Sequence, residues 1–448
     1  MDQPEKMDDA KGANHYRKVA MAACFGTFLE WYDFLTFATL AIVLGPLFFP
    51  SNDPNTGLLA SLATFGVGMV VRPIGSALFG SLGDRIGRKP VFMITIALMG
   101  LATLSVGFLP TYAQIGIWAP ILLVGLRLIQ GLSAGGEIGG SAVYLTEHAG
   151  NENRGFRTSF LQLMGPLGIL VSTLQISFLQ QWLSTEEFQA WGWRVPFWIS
   201  ILLLLIAFKA RIALEETPVF QELSKNSKRN DSQLINNFRD SEIRKRMFLL
   251  FLCISSGGSM LFFFVQIYSA IFLKIVVKLD SLLVDQLYFL STITLIPLTI
   301  LTGWLSDKFG RKPIFISGII LGGILIYPSF NMLGYLGKSY LQNYSSITLL
   351  SIALIMVGLS CILALVIGPQ TAFLAELFPA KSRNSAATLP HNLAAGWIGG
   401  TLPFVIALID RLWGSDYAGL WYPTIFLLSI ALIGVLKLPE TYKNNIID

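Results

Sequence analysis

Charge is scarce in this chain. Aspartate, glutamate, lysine and arginine make up 13% of its 448 residues, where a soluble domain carries about 25%. That excludes a soluble globular protein for the bulk of the sequence. Cysteine is scarcer still. Cys24, Cys253 and Cys361 fall in apolar stretches, their number is odd and no metal-ligand spacing relates them. A disulfide framework and a metal centre are therefore excluded, and the three read as buried thiols. No nucleophile–base constellation is present, which argues against an enzyme. The glycine-rich loops lack the Walker spacing and follow no strand, so they do not read as phosphate cradles. Residues 1–18 are polar and lack the apolar core of a cleaved signal peptide, so the first apolar segment is expected to be retained. No cofactor is implied, and no segment is large enough to form a separate soluble domain.

Apolar sequence is what the chain does have. It is 53% hydrophobic, with a mean hydropathy of +0.62. Runs of about 20 apolar residues, enough to cross a bilayer as helix, recur along its length. Twelve spans are predicted: 19–48, 58–80, 90–109, 117–145, 157–182, 195–213, 246–273, 285–306, 313–333, 346–375, 384–409 and 419–437. In lipid the backbone must satisfy its own hydrogen bonds, so an all-α membrane protein follows.

One pattern occurs twice. Gly80-Ser-Leu-Gly-Asp84-Arg-Ile-Gly87-Arg88-Lys89-Pro90 returns as Gly303-Trp-Leu-Ser-Asp307-Lys-Phe-Gly310-Arg311-Lys312-Pro313, half the chain later. A second echo pairs Glu147 and Arg154 with Glu376 and Arg383, each pair at the junction of the fourth and fifth spans of its half. The repeats predict two pseudo-symmetric six-helix halves, 1–213 and 246–448, joined by a polar linker at 214–245. In membrane proteins that arrangement marks a transporter with its site between the halves, near the bilayer midplane.

Basic residues set the expected orientation. Of 32 lysines and arginines, two (Arg72 and Arg127) fall in the membrane interior, away from the last turns of their spans. One set of loops holds only Arg194, Lys274, Lys278, Lys338 and Arg411, which leaves 25 on the side of both termini, both repeated loops and the linker. That side is expected in the cytoplasm. The net charge of +5 is thus a topology signal and implies no nucleic acid.

Charges inside a bilayer are default functional candidates. Glu30 and Asp33 lie three apart on one face of span one. Burial would favour their protonation, a nearby arginine would oppose it, and Arg127 in span four is the expected partner. An acid that is ionised when paired and protonated when released is what proton coupling needs; a static ion pair is the alternative. Gln130 and Glu137 share a face of span four and are candidate substrate-binding residues. Glu137 could meet a cationic group, relay a proton, or be a hydrogen-bonded structural acid. Gly131, Gly135 and Gly139, four apart, predict close helix packing. Arg72 could bind an anion or snorkel from the end of span two. Trp31 and Tyr32, Gln162, Gln266, Tyr268, His391, Asn392 and Trp397 are polar or aromatic groups in apolar helices, hence candidate substrate-lining residues, with ordinary packing as the alternative. Aromatic faces among them suit a quaternary ammonium. Asp84, Arg88, Glu147 and Arg154 are expected to form a gating charge network at the cytoplasmic face, with Asp307, Arg311, Glu376 and Arg383 as its twin.

The repeated loop resembles the signature of the major facilitator superfamily. Leu29-Glu30-Trp31-Tyr32-Asp33-Phe34, Arg127-Leu-Ile-Gln130-Gly131, Gly135-Gly136-Glu137, Trp191-Gly-Trp-Arg194-Val-Pro196 and Leu214-Glu-Glu-Thr-Pro218-Val-Phe220 resemble its metabolite:proton symporter branch. Tyr112-Ala-Gln-Ile115-Gly116-Ile117-Trp118-Ala119-Pro120 is most similar to members that carry proline and betaine. The resemblance implies the major facilitator fold and a first-helix acid paired with Arg127. It also implies a protein that works as a monomer in the cytoplasmic (inner) membrane. The implied activity is proton-coupled uptake of a small polar metabolite, a zwitterionic osmolyte first, an organic acid such as citrate, α-ketoglutarate or shikimate second. A nutrient sensor that does not transport is the alternative of another class.

Overall fold

Each apolar run becomes a helix, because a helix alone satisfies every backbone amide within one segment. The structure, a computed structural model, describes residues 3–51, 54–86, 88–149, 153–212, 237–379 and 382–444. Among these, twelve helices are long and apolar enough to cross a membrane: α1 (Ala23–Phe48), α2 (Thr56–Phe79), α3 (Lys89–Phe108), α4 (Trp118–Glu147), α5 (Arg154–Trp182), α6 (Gly192–Lys209), α7 (Ser241–Val276), α8 (Ser281–Phe309), α9 (Arg311–Asn343), α10 (Ser346–Glu376), α11 (Ser385–Trp413) and α12 (Ala418–Lys437).

Several boundaries differ from expectation, and α9 runs ten residues past its expected end, to Asn343, taking in Lys338. The first helix begins at Gln3 and runs unbroken into α1. α7 starts at Ser241, inside the expected linker, because the Asp240 carboxylate accepts from the backbone N–H of Glu242 and Ile243 and caps the helix. It also continues through Lys274, a residue expected in a loop. The rest of the linker, apart from 237–240, the side chains of Asp84 and Arg88, and the surroundings of Gly139 lie outside the described residues.

Apolar side chains cover the outside of the bundle as well as its core. α10 exposes Ile347, Leu350 and Leu354, spaced to share one helical face. In water such a surface would aggregate; in hydrocarbon it is solvated. Polar and charged residues are instead turned inward, and Glu30, Asp33, Arg72, Arg127 and Gln130 have no exposed surface.

Several helices are broken near the centre. α2 is interrupted at Val71, and Pro73 falls in the first turn after the break, where its missing N–H costs no helical bond. α4 breaks at Gly136–Glu137. α7 carries π-helical turns at Leu250–Ser255, Phe264–Tyr268 and Phe272–Val276, and α11 one at Ala395–Gly399. Such turns cluster at functional sites. Backbone contact locks α2 to α4: a Cβ on Gly131 would meet the carbonyl oxygen of Gly68, and one on Gly135 that of Arg72. The first six helices meet the last six where α5 packs on α8 and α10, and where α2 and α4 pack on α11.

Candidate functional site

Between the two sets of helices lies a small cavity of about 60 Å³, lined by residues of α1, α4, α5, α7, α10 and α11. One wall is aromatic. The Trp31 ring lies 4.9 Å from that of Phe262 and 6.1 Å from that of Phe263, which are themselves 5.6 Å apart. Glycines make room for this wall: a Cβ on Gly165 would press on Phe262 at 3.0 Å. The other lining groups are neutral. Gln162 Nε2 reaches Gln370 Oε1 at 3.5 Å, and His391 Nδ1 shares a hydrogen bond with the Ser255 hydroxyl at 3.1 Å. No lysine, arginine, aspartate or glutamate is among the described lining residues. Of the expected substrate-lining residues, Trp31, Gln162 and His391 meet here.

Behind the aromatic wall sit three buried acid–base units. Glu30 forms an ion pair with Arg72, not with Arg127. This corrects the expected pairing, and it also removes snorkelling for Arg72, whose position at the break in α2 brings its guanidinium fully inside. Asp33 reaches Arg127 through a relay. The Thr103 hydroxyl donates to Asp33 Oδ2 at 2.9 Å, Gln130 Nε2 donates to Thr103 Oγ1 at 2.5 Å, and Arg127 Nη1 donates to Gln130 Oε1 at 2.8 Å. Asp33 Oδ1 has no hydrogen-bond partner among the described residues. The Arg127 guanidinium stacks 3.9 Å from the Phe37 ring centre, and Phe34 lies 4.9 Å from both Arg127 and Arg72.

Glu137, expected to face a substrate or relay a proton, is instead ion-paired with Arg211 from the end of α6. Gly26 in α1 leaves space for the pair, since a Cβ there would overlap the Arg211 guanidinium. Four other candidates also point away from the cavity. The Tyr32 hydroxyl donates to Gln175 Oε1 at 2.6 Å and to the Pro196 carbonyl at 2.9 Å, holding α1 to α5 and α6. Tyr268 packs on Phe264 and Phe330 and reaches Asp410 at 3.4 Å. Asn392 Nδ2 donates to the Gly135 carbonyl at 3.2 Å, at the break in α4. Trp397 is 53% exposed and donates to the Val70 carbonyl at 3.0 Å. Gln266 lines a second, separate cavity. Each is placed by helix packing that its own helix does not reveal.

At the end of the bundle that bears the termini and the repeated loops, the charge network is built across the two sets of helices. Arg154 Nη1 bonds Glu376 Oε1 at 2.8 Å, and Arg383 Nη1 lies 3.3 Å from Glu147 Oε1. Asp307 accepts from the backbone N–H of Gly155 at 2.7 Å and Phe156 at 2.8 Å, capping α5, while Arg311 pairs with Asp307 at 2.7 Å and with Glu376 at 3.1 Å. A carboxylate suits that position, where N–H groups lack helical partners and the helix dipole is positive. Burial lowers the pKa of Arg383, opposed by the Glu147 carboxylate. The expected contacts of Arg311 with Asp307 and Glu376 form, and two further ion pairs, Arg154–Glu376 and Arg383–Glu147, join the first six helices to the last six. Gly155 and Gly303 permit the approach, since a Cβ on Gly303 would lie 2.7 Å from that of Ser159.

Sequence reading missed Phe262, Phe263, Gln370, Arg211 and Asp285. Gln370 carries a signal, a polar residue within an apolar run. The phenylalanines carry none, among 32 in the chain.

A twelve-helix bundle closed by a motif-borne charge network around a central cavity defines a major facilitator transporter. The comparisons with known proteins agree. The sugar (and other) transporter family model matches residues 19–249 and 222–447. The chain is 34% identical over 438 residues to the inner membrane metabolite transport protein YhjE of Escherichia coli, covering 97% of this chain and 96% of that protein. It is 35% identical over 433 residues to the shikimate transporter of the same organism (94% and 93% covered). It is 33% identical over 432 residues to the glycine betaine/proline/ectoine/pipecolic acid transporter OusA of Dickeya dadantii (94% and 82%). The proton:xylose symporter XylE, bound to 6-bromo-6-deoxy-D-glucose, superposes with a TM-score of 0.77 at 18% identity, covering 97% of this chain and 98% of that one. The chain belongs to the sugar (and other) transporter family of the major facilitator superfamily and is a multi-pass membrane protein that transports small molecules.

Proposed function

We propose that this transporter couples proton entry to uptake of a small zwitterion with an alkylated ammonium group, of the proline/betaine kind. The observation that carries the reading is the cavity, whose lining combines the aromatic Trp31, Phe262 and Phe263 with the Gln162 and Gln370 amides. Aromatic faces attract a quaternary ammonium without a formal charge, and amide N–H groups can take a carboxylate. A net-neutral ligand needs no net counter-charge in the lining. The Asp33–Thr103–Gln130–Arg127 relay supplies the coupling. In one conformation it favours the Asp33 carboxylate; a change in the relay lets Asp33 Oδ1, a buried acceptor with no partner among the described residues, take the proton. Glu30, held by Arg72, has the lesser part.

In this reading the protein works as a monomer in the cytoplasmic membrane. The halves 1–213 and 246–448 rock about the cavity, and the terminus-bearing face, with its 25 basic residues, is cytoplasmic. Breaking the Glu147–Arg383 and Arg154–Glu376 pairs and the Asp307 cap opens that face. The shikimate transporter among the relatives supports a second reading, an organic-acid symporter, in which Arg72 would have to leave Glu30 and enter the cavity.

Proteoliposomes carrying the purified protein, loaded at higher internal pH, test both. Protonophore-sensitive accumulation of glycine betaine or proline is expected. Accumulation of shikimate, citrate or α-ketoglutarate and of neither zwitterion replaces the first reading with the second; uptake driven by sodium alone removes the proton from both.

A further inference from the structure

Beyond the central cavity, toward the face opposite the termini, a second cavity of about 40 Å³ lies between α1 and α5 on one side and α7 and α8 on the other. It has what the central one lacks, a pair of opposite charges. Lys274 Nζ contacts Asp285 Oδ1 at 2.5 Å, and both side chains are more than four-fifths buried. Asp285 Oδ2 accepts from the Ser177 hydroxyl at 2.7 Å, a bond that crosses between the two sets of helices. Gln266 lines the same cavity and has no exposed surface. Its Oε1 is occupied, accepting from the Tyr288 hydroxyl at 2.5 Å, while its Nε2 donates to nothing among the described residues. Lys274 and Gln266 sit on two successive π-helical turns of α7, so two donors on one helix converge on this space.

We infer that Lys274, Asp285 and Gln266 form an outer binding subsite for a zwitterion. This rests on the proposed function for its ligand and for the outward orientation of this face. Burying a lone charge is unfavourable, and a cation–anion pair held at the seam of the halves is stable only while each keeps a partner. A zwitterion supplies both partners at once. As the halves part, the Ser177 bond breaks and the cavity opens outward. The ligand carboxylate then takes the Lys274 ammonium and the unpartnered Gln266 amide, and its ammonium takes the Asp285 carboxylate. Re-pairing of Lys274 with Asp285 releases the ligand inward and restores the closed seam. A ligand of one sign would leave either Lys274 or Asp285 unpaired, so the subsite selects net-neutral solutes before they reach the aromatic wall.

The test is initial-rate uptake and efflux by the full-length protein in oriented proteoliposomes, with glycine betaine, proline, shikimate and α-ketoglutarate as probes. Lys274→Gln and Asp285→Asn are each expected to raise the KM for zwitterion uptake about tenfold or more, the scale of a charge-assisted contact. The KM for efflux from the terminus-bearing face should stay unchanged. The charge-swapped double variant Lys274→Asp/Asp285→Lys, which keeps an ion pair, should not recover wild-type uptake KM. Unchanged uptake KM in both single variants overturns the inference, and so does full recovery in the swap, which would make the pair a latch only. If the swap does not insert or fold, the single variants decide. If the wild type carries shikimate or α-ketoglutarate and neither zwitterion, the proposed function falls. The Lys274 part of the subsite then falls separately if Lys274→Gln leaves the KM for that carboxylate unchanged.

Discussion

Replacing Asp307 by asparagine tests whether the cross-half network holds the terminus-bearing face shut. Asp307 belongs to the last six helices, yet its two carboxylate oxygens accept from Gly155 and Phe156 N–H at the start of α5. Asparagine keeps the shape and one acceptor but turns an NH2 group toward the second N–H and loses the charge. Only contacts made when the face is closed and broken when it opens shift the equilibrium, and the Arg311 pair, within the same half, does not count. One charge-assisted hydrogen bond is worth about 1.5–3 kcal/mol. Its loss multiplies the open population by about ten to a hundredfold or somewhat more. Ser159, fully buried where α5 meets Gly303, serves as reporter. With Cys24, Cys253 and Cys361 replaced by serine, Ser159→Cys in inverted vesicles should react with an impermeant maleimide at least tenfold faster when Asp307→Asn is added. An unchanged rate refutes the gating role and leaves Asp307 as a helix cap alone.

Four further outcomes are expected. Asp33→Asn should abolish accumulation driven by a pH gradient while leaving counterflow exchange intact; wild-type pH dependence in the variant would take Asp33 out of the coupling. Trp31→Ala should weaken glycine betaine binding in calorimetry by about 2- to 30-fold, the range of 0.5–2 kcal/mol for a cation–π contact, and unaltered affinity would discard the aromatic wall as the ammonium site. Glu137→Gln should lower stability by about 3–5 kcal/mol, because it strands Arg211 in a buried position, and adding Arg211→Met should recover most of it. Melting points for single and double variants that simply add would show that the two residues do not act as a pair. Gly131→Val drives a branched side chain into the Gly68 backbone and should yield little monodisperse protein, since the α2–α4 contact cannot widen locally; a wild-type yield and melting point would contradict that packing.

Much of the architecture was legible in the chain. Lipid imposes one rule on every span, so length and apolar content were enough to find twelve helices. The repeated Gly-x-Leu-x-Asp-x-x-Gly-Arg-Lys loop was enough to expect two related halves. The scarcity of charge made the candidate residues conspicuous. In so apolar a chain, Glu30, Asp33, Arg127, Gln130 and Gln162 stand out against their surroundings. Phe262 and Phe263 do not, and neither does Lys274, the first charge after the apolar run of α7, which made it read as a loop lysine.

Partnership was another matter. Helical periodicity says that Glu30 and Asp33 share a face, and the structure keeps them close. Nothing in that periodicity says that Glu30 meets Arg72 while Asp33 reaches Arg127 through Thr103 and Gln130. The same holds at the gate. Glu147 and Arg154 are seven apart in the chain and were expected to act together, yet each bonds the opposite half's member of the matching pair. The sequence by itself determined which residues lie on which helix, because that depends on local backbone geometry and on the solvent along one segment. Which helix stands beside which, and so which charge answers which, depends on how twelve rods pack laterally in a plane. That was decided by contacts such as Gly131 on Gly68 and Gly155 on Gly303, between residues whose distance along the chain carries no record of their meeting.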